Sequence, residues 1–260
     1  MAIQLNDRDH LIFSLIDEHK VLLEKHISFF ISLGDRKPVL IRDRLRKLFY
    51  LDYLLCERHR DTLPWWTTPT KPLVYTLSHL TRSITGVGES ELDLNDADVQ
   101  RHFLEVANLR MLFQVDEKDG KISDFQWKTC DATKNVDAKV TFTRNGVTHK
   151  VGIINHPSTD HETLLNKLES ALAEEDVDSV FVVSRDEAHQ TALQKCVHTH
   201  MSDSLLTGRI AFVTHQELYK NGVVKCRWQN VEMRPAAVFV DMITEAKTCS
   251  FSMRPQIASA

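Results

Sequence analysis

Apolar residues recur at helical spacing along most of the chain up to Leu112, and at strand spacing beyond the turn signal Lys118-Asp119-Gly120. A chain that changes period in this way cannot be one continuous helical bundle or one β-sandwich; it must build a helical part and a sheet-based part. In the first part Asn6, with Asp9 three residues later, has the spacing of a capping box for a helix over residues 7–18, where Leu11, Ile12, Leu15 and Ile16 share a face. Lys20 to Ile31 supports a shorter second helix, and Gly34-Asp35 interrupts it. Pro38 then opens a third helix with Ile41, Leu45, Leu48 and Phe49 on one face. Arg42, Arg46 and Lys47 lie on the other face, with Arg44 at the boundary. Tyr53-Leu54-Leu55 and Leu73-Val74-Tyr75-Thr76-Leu77 read as two strands flanking a Pro- and Trp-rich loop. Three helices followed by a hairpin is the order of a winged helix-turn-helix, assigned to residues 1–88.

Gly86 to Glu91 reads as a hinge, and Asn95 as the cap of a helix running to about Leu112, so residues 89–117 are assigned as a helical linker. Strands are expected over Ile122–Trp127, Ala138–Thr143 and Val147–Ile154, the last two joined at Arg144-Asn145-Gly146. A helix over Glu162–Glu174, a strand over Ser179–Ser184, a helix over Glu187–His200 and a strand over Arg209–Thr214 follow. The expected class is therefore mixed α/β, with an α/β domain at 118–235 and a C-terminal extension at 236–260.

Charge is distributed unevenly. The chain carries a formal net charge of −4, yet the segment from Arg36 to Arg60 is net +5. A local basic stripe on an acidic protein is what phosphate binding needs, whatever the total. Arg42, Arg44, Arg46 and Lys47 on the third helix and Arg58 and Arg60 beside the wing are the expected DNA contacts, against the plain alternative of a solvated face. Trp65 and Trp66 are better explained by packing than by base stacking. The five cysteines form no CxxC pair, which fits free thiols in a reducing, cytoplasmic setting. No apolar run is long enough for a membrane span, and MAIQLNDRDH lacks the pattern of a secretory leader. None of the eight glycines makes a dinucleotide or Walker loop. His198-Thr199-His200 ends a helix, where i and i+2 diverge, so a shared metal is not expected there.

Leu5-Asn6-Asp7-Arg8-Asp9, Arg44-Leu45-Arg46-Lys47-Leu48, Asp52-Tyr53-Leu54, Val74-Tyr75-Thr76-Leu77-Ser78 and His102 occur in an order that resembles the replication-relaxation family of plasmid and mobile-element proteins. That family is related to plasmid-mobilisation relaxases without a histidine-hydrophobic-histidine site. The resemblance implies a C-terminal domain similar to PD-(D/E)xK nucleases, restriction-endonuclease-like in fold. In such a domain two carboxylates hold a divalent metal and a lysine stabilises developing charge. It maps the first acid to Asp137 (Asp131 being the lesser choice), the second position to Asn155 or His156, and the lysine to Lys167. Asp137, Asn155 and His156 are then the expected metal set, with Mg²⁺ required only if the site is active. Because Asn155 brings no charge, the expectation is a non-catalytic nuclease fold used for dimerisation or partner binding. The protein would then be a site-specific, homodimeric binder of double-stranded DNA from a mobile element, serving transcription control or assembly of a mobilisation or replication complex. The alternative is a metal-dependent DNA-nicking relaxase in which Asp137 and Lys167 are catalytic.

Overall fold

The expected capping box is present. In the computed structural model, which describes residues 4–32, 41–63, 65–88, 92–130, 135–201 and 203–236, Asp9 N donates to Asn6 Oδ1 at 3.1 Å and Asn6 N to Asp9 Oδ2 at 2.9 Å. This box starts α1 (Asp7–His19), which buries Ile12, Phe13, Leu15 and Ile16. The expected second helix begins later than its periodicity suggests. Leu22–Leu23 form a short strand, β1, and α2 runs from Glu24 to Ile31. After α3 (Arg42–Tyr50) come β2 (Leu54–Arg58) and β3 (Leu73–Leu77), and the sheet order β1-β3-β2 is antiparallel throughout. Leu45 and Leu48 seat α3 on the α1–α2 core, but Phe49 is 39% exposed and does not join the apolar face expected of it. Helix α1, strand β1, helices α2 and α3 and the hairpin together make a winged helix. Pro38, and the rest of 33–40, lie outside the described residues.

A helix that the sequence reading did not place, α4 (His79–Thr85), follows β3; Ser78 caps it by accepting from Thr81 N, and Gly86 ends it at φ +72°. Helix α5 (Ala97–Lys118) is capped by Asp96, not Asn95, and extends a turn and a half past Leu112. It then leads into β4 (Ser123–Thr129), β5 (Ala138–Arg144) and β6 (Val147–His156), an antiparallel meander. The chain continues through α6 (His161–Leu172), β7 (Ser179–Ser184), α7 (Glu187–His200), α8 (Ser204–Thr207), β8 (Ile210–Thr214) and α9 (His215–Lys225). Strands β6, β7 and β8 pair in parallel, so the five-stranded sheet runs β4-β5-β6-β7-β8. The class is mixed α/β, as the change of period predicts, with a helix, a three-strand meander, a helix and a strand following one another in the second half.

Successive residues of a strand face opposite sides. On one side Ile153, Phe181, Val183, Ala211 and Val213 pack with α5 and α9 residues; on the other Ile154, Val180, Val182 and Phe212 pack with residues of α6 and α7. The assigned linker, 89–117, contains most of α5, whose Ala107 and Met111 enter the winged-helix core while Leu109 and Phe113 enter the sheet core. Residues 237–260, most of the assigned C-terminal extension, lie outside the described residues. Among the described residues no helix is long and apolar enough to cross a membrane.

Candidate nucleic-acid interface and buried polar cluster

Leu45 and Leu48 fix the rotation of α3, and this decides which of its polar residues reach solvent. Asp43, Arg46, Lys47 and Tyr50 lie three and four apart on the outer face and are all exposed. The Arg46 side chain is 61% exposed and passes 3.9 Å from Asp43; Tyr50 is 73% exposed. Arg42 is also exposed, with Nε donating to both Glu24 oxygens at 3.1 Å. Arg44 differs from the other expected contacts. Its Nε donates to Asp9 Oδ1 at 2.7 Å and its Nη2 to Asp9 Oδ2, so its charge is engaged inside the winged helix. Burial would raise the Asp9 pKa, but the Arg44 hydrogen bond, the Asn6 N–H and the Arg44 charge together outweigh it and the net shift is downward.

At the wing, Arg58 and Arg60 are exposed, and Arg58 Nη1 donates to Lys71 O at 3.3 Å. His59 between them is fully buried, its Nδ1 donating to Gln100 Oε1 on α5 at 3.0 Å. Trp65 packs, as expected, and stacks on Tyr219 of α9 with ring centroids 5.1 Å apart. The base of the wing is thus fastened to the α/β half.

The second group sits where β5 begins and β6 ends. Asp137, immediately before β5, is 8% exposed; its Oδ2 accepts from Asn155 N at 2.6 Å and its Oδ1 from His102 Nε2 of α5 at 3.1 Å. Burial opposes ionisation of Asp137, yet the His102 hydrogen bond and charge, the Lys167 charge and the Asn155 N–H together lower its pKa. Burial likewise opposes charge on His102, and Asp137 overcomes it and raises the histidine's pKa. One turn along α5, Glu105 accepts from Asn155 Nδ2 at 2.8 Å. His215, the first residue of α9, donates from Nε2 to Asn155 Oδ1 at 2.8 Å and lies 3.4 Å from Glu105 Oε2. Glu105, Asn155 and His215 are each under 5% exposed. The Glu105 carboxyl, which burial would raise, is held lower by His215, then Asn155 and Arg101.

Of the residues expected to form a catalytic or metal site, the structure brings Asp137 and Asn155 into hydrogen-bond contact, while the charge of Lys167, on α6, acts on both Asp137 and His156. The structure turns His156 to the opposite face of the sheet. There its ring stacks on His189 of α7 at 6.1 Å, and burial, then His189 and Lys167, lower its pKa to about 4. Asp131 lies outside the described residues. His198 and His200 are exposed, and His200 Nδ1 donates to Cys196 O at 2.9 Å within its own helix. Glu105 and His215 escaped the sequence reading. Helical spacing from His102 would have flagged Glu105, whereas His215 is distant in sequence from every partner. The donors do not fit a dedicated Mg²⁺ site. Asp137 and Glu105 already accept from protein donors, and no group of three or more His, Cys, Asp or Glu among the described residues is placed to hold a metal.

No protein-family model matches this chain, and no curated protein matches it in sequence. A solved structure, "restriction endonuclease FokI bound to DNA", is similar at a TM-score of 0.29 and 12% identity over 85% of this chain and 46% of that one. A likeness of that size assigns neither residues nor chemistry here, and the chain spans less than half of that protein.

Proposed function

We propose that this protein binds double-stranded DNA at specific sites, with α3 in the major groove and the wing beside it. The observation that carries the reading is the outward face of α3, where Arg46, Lys47 and Tyr50 project from a winged-helix scaffold whose inner face is fixed by Leu45 and Leu48. Arg42, Arg58 and Arg60 flank that face as phosphate contacts, and Arg44 braces it from within. The division of labour follows the chain: DNA reading in 1–88, the α/β unit in 118–235. We assign the latter a non-catalytic role in dimerisation or partner binding, supported by the engagement of Asp137 and Glu105 with protein donors. A mobile-element setting, membership of the replication-relaxation family and a cytoplasmic location belong to the same proposal and rest on the sequence resemblance.

Fluorescence anisotropy with a labelled duplex pool, followed by selection of bound sequences, tests the reading. Neutralising Arg46 and Lys47 together should weaken binding at low salt and reduce the slope of log K against log salt by about 2. A folded double variant with unaltered affinity and slope would remove α3 from the interface. Incubation of supercoiled DNA with Mg²⁺, Mn²⁺ or EDTA tests the non-catalytic half. Nicking that disappears in both Asp137→Ala and Glu105→Ala would replace it with the relaxase reading.

A further inference from the structure

A cavity of about 670 Å³ opens between α2, the first residue of α3, the base of the wing and Met111 of α5. Its size falls within the roughly 300–1,000 Å³ of small-molecule sites. Phe29, Trp66 and Leu73 supply apolar walls, and Arg42, Arg58 and Lys71 supply positive charge. Lys25 adds a fourth cation, and among the described lining residues the one carboxylate is Glu24, which accepts from Arg42. Several of these groups are held in place. Trp66 Nε1 donates to Thr70 O at 2.6 Å, Arg58 to Lys71 O at 3.3 Å, and Lys71 Nζ to Arg60 O. The first turn of α2 meets the cavity at Leu23, Glu24 and Lys25, and no side chain caps that helix, so its N-terminal N–H groups add to the positive field.

We infer that this cavity binds a nucleotide-sized amphipathic anion, an aromatic ring system carrying a phosphate. The ring lies against Trp66 and Phe29, and the phosphate meets Arg58, Lys71 and Arg42. A duplex backbone is the poorer occupant, since a concave apolar wall offers a phosphodiester strand nothing to contact. Arg42 and Arg58 are shared with the DNA contacts proposed above, but the titration is made without DNA, so failure of the DNA reading leaves this inference standing and its own failure leaves the DNA reading standing.

Isothermal titration of the full chain with AMP, GMP and CMP, and separately with adenosine and inorganic phosphate, tests it. A nucleotide should bind at least about tenfold more tightly than either half, because only the whole molecule satisfies both walls and cations. The pair Arg58→Gln and Lys71→Gln, exposed positions whose loss leaves the core intact, should weaken that binding by about tenfold or more. Trp66→Ala should weaken it while Trp66→Phe retains it. No heat with any nucleotide at millimolar concentration overturns the inference. So does unchanged affinity in the double variant at an unchanged melting temperature, or phosphate binding as tightly as the nucleotides.

Discussion

Arg44 and Arg46 are two residues apart on α3, yet they do different work because one turns toward Asp9 and the other toward solvent. The Asp9 side chain is fully buried, so removing its partner leaves an uncompensated charge. Arg44→Ala should therefore cost about 2–4 kcal/mol in urea unfolding, whereas Arg46→Ala should change stability by less than about 0.5 kcal/mol. Equal costs at the two positions would refute this assignment. Histidine titrations test the polar cluster. The raised His102 pKa means its contribution is complete below the ordinary histidine value of about 6.5 and is lost as pH rises through the raised one. Asp137, with a lowered pKa, contributes above about pH 3.9 and loses that contribution as pH falls through its folded value. NMR should place the His102 midpoint above that of a free imidazole, and Asp137→Asn should bring it down. His156 has the opposite sign: with its pKa lowered to about 4, the fold loses stability as pH falls from about 6.5 toward that value. At pH 5 the loss is on the order of 1–2 kcal/mol, and His156→Gln should flatten the pH dependence of stability in that window.

At the scale of elements, α5 is where the two halves meet. Its mean hydropathy pattern is not that of a one-faced surface helix, because it buries residues against the winged helix on one flank and against the sheet on the other. Phe113, 2% exposed, touches Phe125, Trp127 and Phe142 of the meander, and Phe113→Ala should destabilise the protein by about 3–5 kcal/mol. Strand β6 carries a different constraint. A Cβ at Gly152 would meet Val136 Cγ1 at 2.9 Å, so that Gly152→Ala should cost about 1–3 kcal/mol through overpacking despite its better strand propensity. A stabilised Gly152→Ala protein would mean that the Val136 side chain yields freely. The helix assignment over 162–174 and the strands over 179–184 and 209–214 were legible from short apolar runs between turn signals. Strand β1 and helices α4, α8 and α9 were not. Leu22–Leu23 reads as helical by spacing and becomes a strand only because Tyr75 and Val74 lie opposite it. The pattern of α9 is interrupted at Gly222, φ +73°, whose break is supported by Asp116 accepting from Val224 N at 2.9 Å.

For the molecule as a whole, shared burial of α5 and the contacts of Trp65 and His59 with α9 and α5 couple the winged helix to the α/β half. Calorimetry should accordingly show one unfolding transition, with calorimetric and van't Hoff enthalpies equal. Two transitions, one of them abolished by truncation at residue 88, would show the halves to be independent. Class, most of the element order and the burial of Leu45 and Leu48 on α3 were readable from the chain, since hydrophobic period, caps and turn residues act over a few neighbouring positions. Which arginine braces and which projects, the arrival of Glu105 and His215 at Asn155, and the turning of His156 to the other face were not readable. Each depends on residues tens of positions apart meeting in a packed interior, where burial and partner geometry, not spacing along the chain, set both direction and charge.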